Sequence, residues 1–544
     1  MKKIFSIFLL FIVHCSLFIA PAHAASEFTT SYISTYTIQP EGPTHVTHTI
    51  ELKNNLSHIY ATNYTLSTTG SQLTNIVTRD ETGPLSSTAS QSSDNTSIHL
   101  QIDRPAIGKD KVKTLMVDYE TDDVAEVLGD TIGVNIPRLS KANEAQNYER
   151  IVKIAGFKDL PALIYPPASK THTEGEFTVF TFLGHQNESL SLLFGESLTY
   201  KVELTYELKN SELSRIDSEL ALPPDTPYQH VQLQSIDPPP LDIRIDPDGN
   251  WLARYSLPPQ DKLLIRATLY VRVYPLPTLY DPSQKKFIKT AHSQYWQDNA
   301  QLVKDLAGRL QTPENIYEYL VDTFTYKYSG NLTTNRQGAL EALTSPHEVL
   351  CTEFTDSFVA LGRTASIPTR EINGYGFTKN PNLRPQGEVG DILHAWPEYL
   401  DPVKNIWISV DPTWGNTTGG VDYFHKLDFN HLTFVRHGLE DNYPLPAGAY
   451  KSRAQDRYVS VELATDIPAE ASSSHIKDHV LYNTGNVALI DETVGYIPPY
   501  GHVELQNPKP LSFYDKIKEL CVKLFSKFLR PRPASTSPST SSPE

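Results

Sequence analysis

The pattern of apolar and polar positions divides the chain into stretches of different period. From Phe28 to about Pro277 the period is two. Thr44 to Leu52 and Tyr200 to Leu208 alternate apolar and polar residues, and Leu264 to Val273 does so less regularly, with many Thr, Val and Tyr. Turn signals separate these runs. Asp246-Pro247-Asp248-Gly249-Asn250, between Ile243-Ile245 and Trp251-Tyr255, predicts a hairpin. Ser86 to Thr96 reads as an exposed loop, and Pro223-Pro224 and Pro238 to Pro240 as stiff connectors. One or two β-sandwiches are expected over residues 25–277, with a break between residues 125 and 175 if there are two.

The period then becomes helical. Leu302, Leu306 and Leu310 mark one face of a helix, and Thr312-Pro313 supplies an N-cap and first position for another, which carries Ile316, Tyr317, Leu320 and Val321. A third helical run holds Phe354, Phe358, Val359 and Leu361 behind Cys351 and ends at Ile367-Pro368. Ser345-Pro346-His347-Glu348 also reads as a capping box, which would start that helix several residues earlier. Two short apolar and aromatic runs follow, Ile392 to Leu400 and Ile406 to Val410, and read as neighbouring strands. Residues 453–508 return to a β pattern and predict a small β-sandwich. In 509–544, Phe513 to Leu529 is a basic amphipathic helix, and the tail after it is rich in Pro, Ser and Thr.

Composition narrows the setting. The 544 residues carry a formal net charge of -16, which argues against nucleic acid as a partner. Residues 1–24 combine Lys2 and Lys3, an apolar run and Ala22-His23-Ala24, which is a secretory signal pattern. The expected location is therefore secreted or extracytoplasmic, with cell-surface association. Removal of the signal takes Cys15 with it and leaves Cys351 and Cys521, whose contexts give no reason to pair. The helix at 513–529 is too polar to span a bilayer. It suits either peripheral contact with an anionic membrane or docking on the protein.

The candidate chemistry lies between residues 349 and 415. A cysteine in the first turn of a helix feels the positive end of the helix dipole, which favours its thiolate. His394 and Asp411 lie in or directly after the two short runs. Antiparallel pairing would let Asp411 hold one imidazole nitrogen while the other faces the thiol. Cys351, His394 and Asp411 are thus a candidate catalytic triad, and the Cys351 backbone N–H is a candidate oxyanion donor. His347, near the cysteine in sequence, reads as a surface turn residue. Glu353 and Asp356 read as solvated or structural positions of the helix. His431 and His437 read as satisfying local hydrogen bonds. No repeated histidine spacing or calcium loop is present, so no metal and no cofactor is expected.

Cys351, Arg363, Ile367-Pro368-Thr369-Arg370 with Gly374-Tyr375, His394-Ala395-Trp396 with Glu398, and Asp411-Pro412-Thr413-Trp414-Gly415 occur in the order found in the transglutaminase-like superfamily, which this segment resembles. The resemblance implies an α+β chain in which a papain-like core over 278–452 is preceded by one or two β-sandwich domains and followed by a small one. It places the helix start at Cys351. It also implies a thioester intermediate on Cys351, formed from protein or peptide carboxamides of cell-surface or cell-wall type and resolved by an amine or by water, with Trp396 lining the substrate site. Val349-Leu350 stands where the family carries a glycine two residues before the cysteine. That departure is the sequence support for a second class of function, a non-catalytic surface-binding or scaffold protein.

Overall fold

The computed structural model describes residues 27–505 apart from 70–72, 92–94, 138–144, 157–160, 186–187, 279, 284–292, 327–335, 378–392, 419–420, 451–456 and 492–493. The expected signal segment and the amphipathic helix at 513–529 lie outside the described residues, among which no helix is long and apolar enough to cross a membrane.

Alternation builds the first β unit. In Thr44–Asn54 every second residue is buried, and Val46, Ile50 and Leu52 face inward. This strand pairs antiparallel with Phe28–Ile38, which in turn runs parallel to Ala145–Ala155 inside an eight-stranded sheet. Two smaller sheets, of three and four strands, bury Ile98, Leu100, Ile132 and Val134 in the same core as Val46 and Ile50. Residues 125–175 are therefore no break, because Ala145–Ala155 lies beside the first strand of the chain. The expected loop at 86–96 also differs: Ser87–Gln91 is a strand, exposed at every position, and backbone pairing at a sheet edge leaves no apolar mark in its sequence.

A second β unit follows. Its larger sheet takes the order Gln229–Asp237, Lys262–Val273, Leu198–Lys209, Val459–Leu463, and a three-stranded sheet faces it. The hairpin at 246–250 forms as the sequence predicts, with Ile245 opposite Trp251 and Gly249 at φ +85°. The small C-terminal sandwich predicted for 453–508 does not form. Its first strand, Val459–Leu463, pairs with Leu198–Lys209, and Val459 and Val461 join the core of the second unit. The remaining strands are three or four residues long and lean on that unit through the Leu233 N–H to Asn486 carbonyl bond and the Tyr496 hydroxyl to Asp225. Strands this short bury too little surface for a core of their own.

Between these β segments lie the described helices α1 (Gln301–Leu310), α2 (Pro313–Thr323), α3 (Ala339–Thr344), α4 (Cys351–Thr364) and α5 (Pro412–Thr417). An antiparallel sheet accompanies them in the order Ile406–Ser409, His394–Asp401, Thr369–Gly376, His431–His437. Thr312 caps α2 as expected, accepting the Asn315 N–H, with Pro313 at the first position. The buried face of α1 is shifted from the predicted one: Val303, Leu306 and Ala307 face inward, while Leu302 is 37% exposed. Helix α4 is buried along most of its length and packs on strand His394–Asp401. Phe429, Leu432 and Phe434 belong to the core of the second β unit, so the helical segment and that unit share one apolar interior.

Candidate active site

Helix α4 starts at Cys351. Leu350 is extended (φ -110°, ψ 178°), and the Glu353 carboxylate reaches back to accept the Leu350 and Gln337 N–H groups at 3.0 and 2.9 Å. Glu353 thereby satisfies the N-cap donor of α4 and ties it to the segment just before α3. The alternative start at Ser345 is not adopted. His347–Val349 is a short strand parallel to Thr325–Tyr326, and the left-handed backbone of this turn falls on Glu348 (φ 72°). Neither Glu353 nor Asp356 is solvated. Both are buried, and Asp356 pairs with Arg336, whose Nε lies 2.9 Å away. His347 is exposed, as expected of a turn residue.

His394 opens its strand opposite Gly374. Its ring stacks on Trp414 at 5.4 Å and lies 5.7 Å from Trp396. Small residues on the neighbouring strand make room for these rings. A Cβ on Gly374 would sit 2.0 Å from the Leu432 carbonyl oxygen and 2.7 Å from the Trp396 ring. One on Gly376 would sit 2.9 Å from Trp414 and 3.4 Å from His394. Trp396 is 1% exposed and packs edge-on against His431, so its ring supports the imidazoles.

Asp411 is the N-cap of α5. Its Oδ1 accepts the Thr413 and Trp414 N–H groups at 2.9 and 3.0 Å, and Pro412 takes the first helical position. Its Oδ2 accepts from His394 Nε2 at 2.8 Å and from His431 Nε2 at 3.0 Å. The Nδ1 of His394 is buried with no hydrogen-bond partner. Burial opposes a charge on this ring, but the Asp411 carboxylate and the neighbouring Cys351 thiol outweigh it and raise the His394 pKa to about 9. For Asp411, burial disfavours ionisation, yet the two imidazoles hold its pKa well below the usual carboxylate range. The structure therefore joins His394 to Asp411 and sets the Cys351 thiol, which acts on the His394 ring, in the first turn of α4, where backbone N–H groups have no intrahelical acceptor.

Sequence reasoning missed His431. Its Nδ1 bonds Asp428 Oδ1 at 2.7 Å, the local bond expected of it, while its Nε2 joins Asp411, twenty positions earlier. The Asp428-x-x-His431 spacing is the one signal available, and nothing in it sets His431 apart from His437, which bonds the Pro444 carbonyl. Ligand atoms of His394, Asp411 and His431 lie within 4.8 Å of one another, a spacing a metal ion would tolerate. Both Nε2 contacts, however, end on the same oxygen at the distances of charge-assisted hydrogen bonds. A metal ion would have to displace both protons.

The motif residues outside the triad brace the sheet. Arg370 and Glu398, each 1% exposed, pair at 2.7 Å across adjacent strands, and Ser409 donates to the other Glu398 oxygen at 2.9 Å. Residues 299–412 match the family model of the transglutaminase-like superfamily. This stretch is a transglutaminase-like domain. Among solved structures, a Cytophaga hutchinsonii protein provisionally called a cysteine protease is 18% identical, with 51% of this chain and 93% of that one covered at a TM-score of 0.34. The periplasmic domain of TgpA from Pseudomonas aeruginosa is 17% identical over 42% of this chain and 97% of that one, with a TM-score of 0.23. An M1 zinc metallopeptidase from Deinococcus radiodurans is 10% identical over 35% and 46%, with a TM-score of 0.22. A search of curated proteins finds no match.

Proposed function

We propose that the transglutaminase-like domain is a cysteine-dependent acyl transferase or amide hydrolase. The observation behind this reading is the allotment of the His394 ring: Nε2 is committed to Asp411, Nδ1 bonds nothing, and the thiol of Cys351 is among the groups acting on the ring. Cys351 Sγ attacks a carboxamide carbon, a C–S bond forms and the C–N bond breaks. The departing amine leaves with the proton of imidazolium His394. Water or a second amine then attacks the thioester and returns a proton to His394, and the C–S bond breaks. Asp411 holds the ring throughout. The backbone N–H of Cys351 is the proposed oxyanion donor.

The signal pattern at 1–24 supports an extracytoplasmic setting with protein or peptide substrates of the cell surface or wall, and the helix pattern at 513–529 supports contact with an anionic membrane. The scaffold alternative rested on the missing glycine. A glycine at 349 is not called for by this backbone, because the positive φ lies at Glu348 and Leu350 is extended.

The test compares wild type with Cys351→Ala on a glutamine-containing protein, with and without a primary amine, by mass spectrometry. Amine incorporation identifies transfer, a gain of about one dalton deamidation, and chain cleavage a peptidase, each lost in Cys351→Ala. Identical spectra for the two proteins would leave the binding role.

A further inference from the structure

We propose that His431 is a positioning residue: backed by Asp428, it shares Asp411 Oδ2 with His394 and so sets both the place of that carboxylate and its hold on the imidazole that faces Cys351. The proposal rests on the reading of Cys351 and His394 as the reacting pair.

The geometry supports it at each link. Asp411 has no acceptor position to spare: one oxygen takes two backbone N–H groups and the other takes two imidazoles. His431 is 2% exposed and has both nitrogens engaged, and its ring lies 4.9 Å from Trp396 and 4.5 Å from Trp414. Asp428 is fixed in turn by the Asn430 N–H at 2.8 Å. The segment that carries Asp428 and leads into the His431 strand is held from outside the domain. Lys426 donates to Asn135 at 2.8 Å, Asn430 to Glu126 at 3.0 Å, and the Asp422 N–H to Ser189 at 2.8 Å, all on strands of the first β unit or next to them.

Two imidazoles drawing on one oxygen divide its charge between them. Burial opposes protonation of His431, but Asp428 and Asp411 raise its pKa to about 9, so both rings are cationic at neutral pH. The charged and titratable groups around the pair are Cys351 of α4, Asp411, Asp428 and Lys426, with Tyr423 on the loop, Glu126 of the first unit and Tyr200 of the second. Exchange of His431 for a neutral donor leaves the Asp411 charge to His394 alone. The His394 proton is then held more tightly.

The experiment follows alkylation of Cys351 by iodoacetamide from pH 5 to 10 in the full chain, as wild type, His431→Gln and Asp428→Asn, with a melting curve for each. Wild type should show an alkaline inflection near pH 9, where His394 loses its proton. In His431→Gln it should move up by about one pH unit, and in Asp428→Asn by less in the same direction. Variants that melt earlier but keep the wild-type inflection would reduce His431 to a packing role and overturn the proposal. Should His431→Gln not fold, the Asp428→Asn profile decides by the same criterion. A wild-type profile that rises in a single step through the ordinary thiol range at about pH 8.5, with no reactive plateau below about pH 7, would instead remove the reading of Cys351 and His394 as a reacting pair.

Discussion

Individual side chains in this molecule carry opposite pH signatures. In the first β unit, His48 is buried between the Ser34 hydroxyl at 2.7 Å and the Tyr119 hydroxyl at 3.0 Å, and burial lowers its pKa to about 4. Its folded pKa lies below the unfolded value of about 6.5. The neutral ring therefore contributes full stability above pH 6.5, and that contribution is lost as pH falls toward 4. A shift of this size corresponds to about 3 kcal/mol. Calorimetry between pH 7.5 and 4.5 should show the transition of the first unit moving down in temperature, with a flatter dependence in His48→Gln. His394 and His431 behave in the reverse sense. Their pKa values are raised to about 9, so their contribution is complete below pH 6.5 and fades as pH climbs through 9. On the proposed mechanism, turnover should fall over the same alkaline range, because His394 carries the proton given to the leaving amine, and a pH–rate profile checks this. The His394–Asp411 pair of the candidate triad is legible in the sequence because each member comes with neighbours that have their own work: Pro412 starts a helix that Asp411 caps, and Trp414 stacks on His394. His431 is not, because its local bond to Asp428 hides the longer one to Asp411.

At the scale of elements, backbone spacing decides what a strand or helix can hold. Gly374→Ala would push a methyl group against the Leu432 carbonyl and the Trp396 ring, so a loss of about 1–3 kcal/mol and a displaced His394 are expected, read by chemical denaturation and by the thiol alkylation rate. Gly308, near the end of α1, is the opposite case. A Cβ there meets nothing within 4 Å, and Gly308→Ala should stabilise by about 0.5–1 kcal/mol in the same denaturation experiment. Removing one partner of the buried Arg370–Glu398 pair strands the other charge, so Glu398→Ala should cost about 3–5 kcal/mol. The N-cap of α2 and the hairpin at 246–250 can be read from sequence because the signal is local. Strand Ser87–Gln91 cannot, since a fully exposed edge strand shows no alternation. The face of α1 is misread because counting leucines gives Leu302 the same weight as Leu306, whereas the buried stripe is completed by Val303 and Ala307.

Across the whole molecule, the transglutaminase-like domain is fastened to both β units. The hairpin at 246–250 puts Asp248 Oδ2 on the Gly438 and Leu439 N–H groups at 3.0 and 2.9 Å, and Leu432 and Phe434 sit in the second unit's core. A fragment limited to residues 278–452 would expose these apolar side chains, so it should aggregate or lack a cooperative melt where the full chain folds. The periodicities reveal β segments on both sides of the domain. They do not reveal that Val459–Leu463 completes the sheet begun at Leu198, because a strand's sequence does not name a partner so distant along the chain.

That returning strand makes the transglutaminase-like portion an insertion. The chain leaves the second unit at Val273 and re-enters the same sheet at Val459, so the domain is spliced into its host at both ends. A protease site engineered into one junction should yield two pieces that stay clasped on a native gel and part only in detergent. Even two cuts, one at each junction, would leave the domain held by the apolar interior it shares with its host.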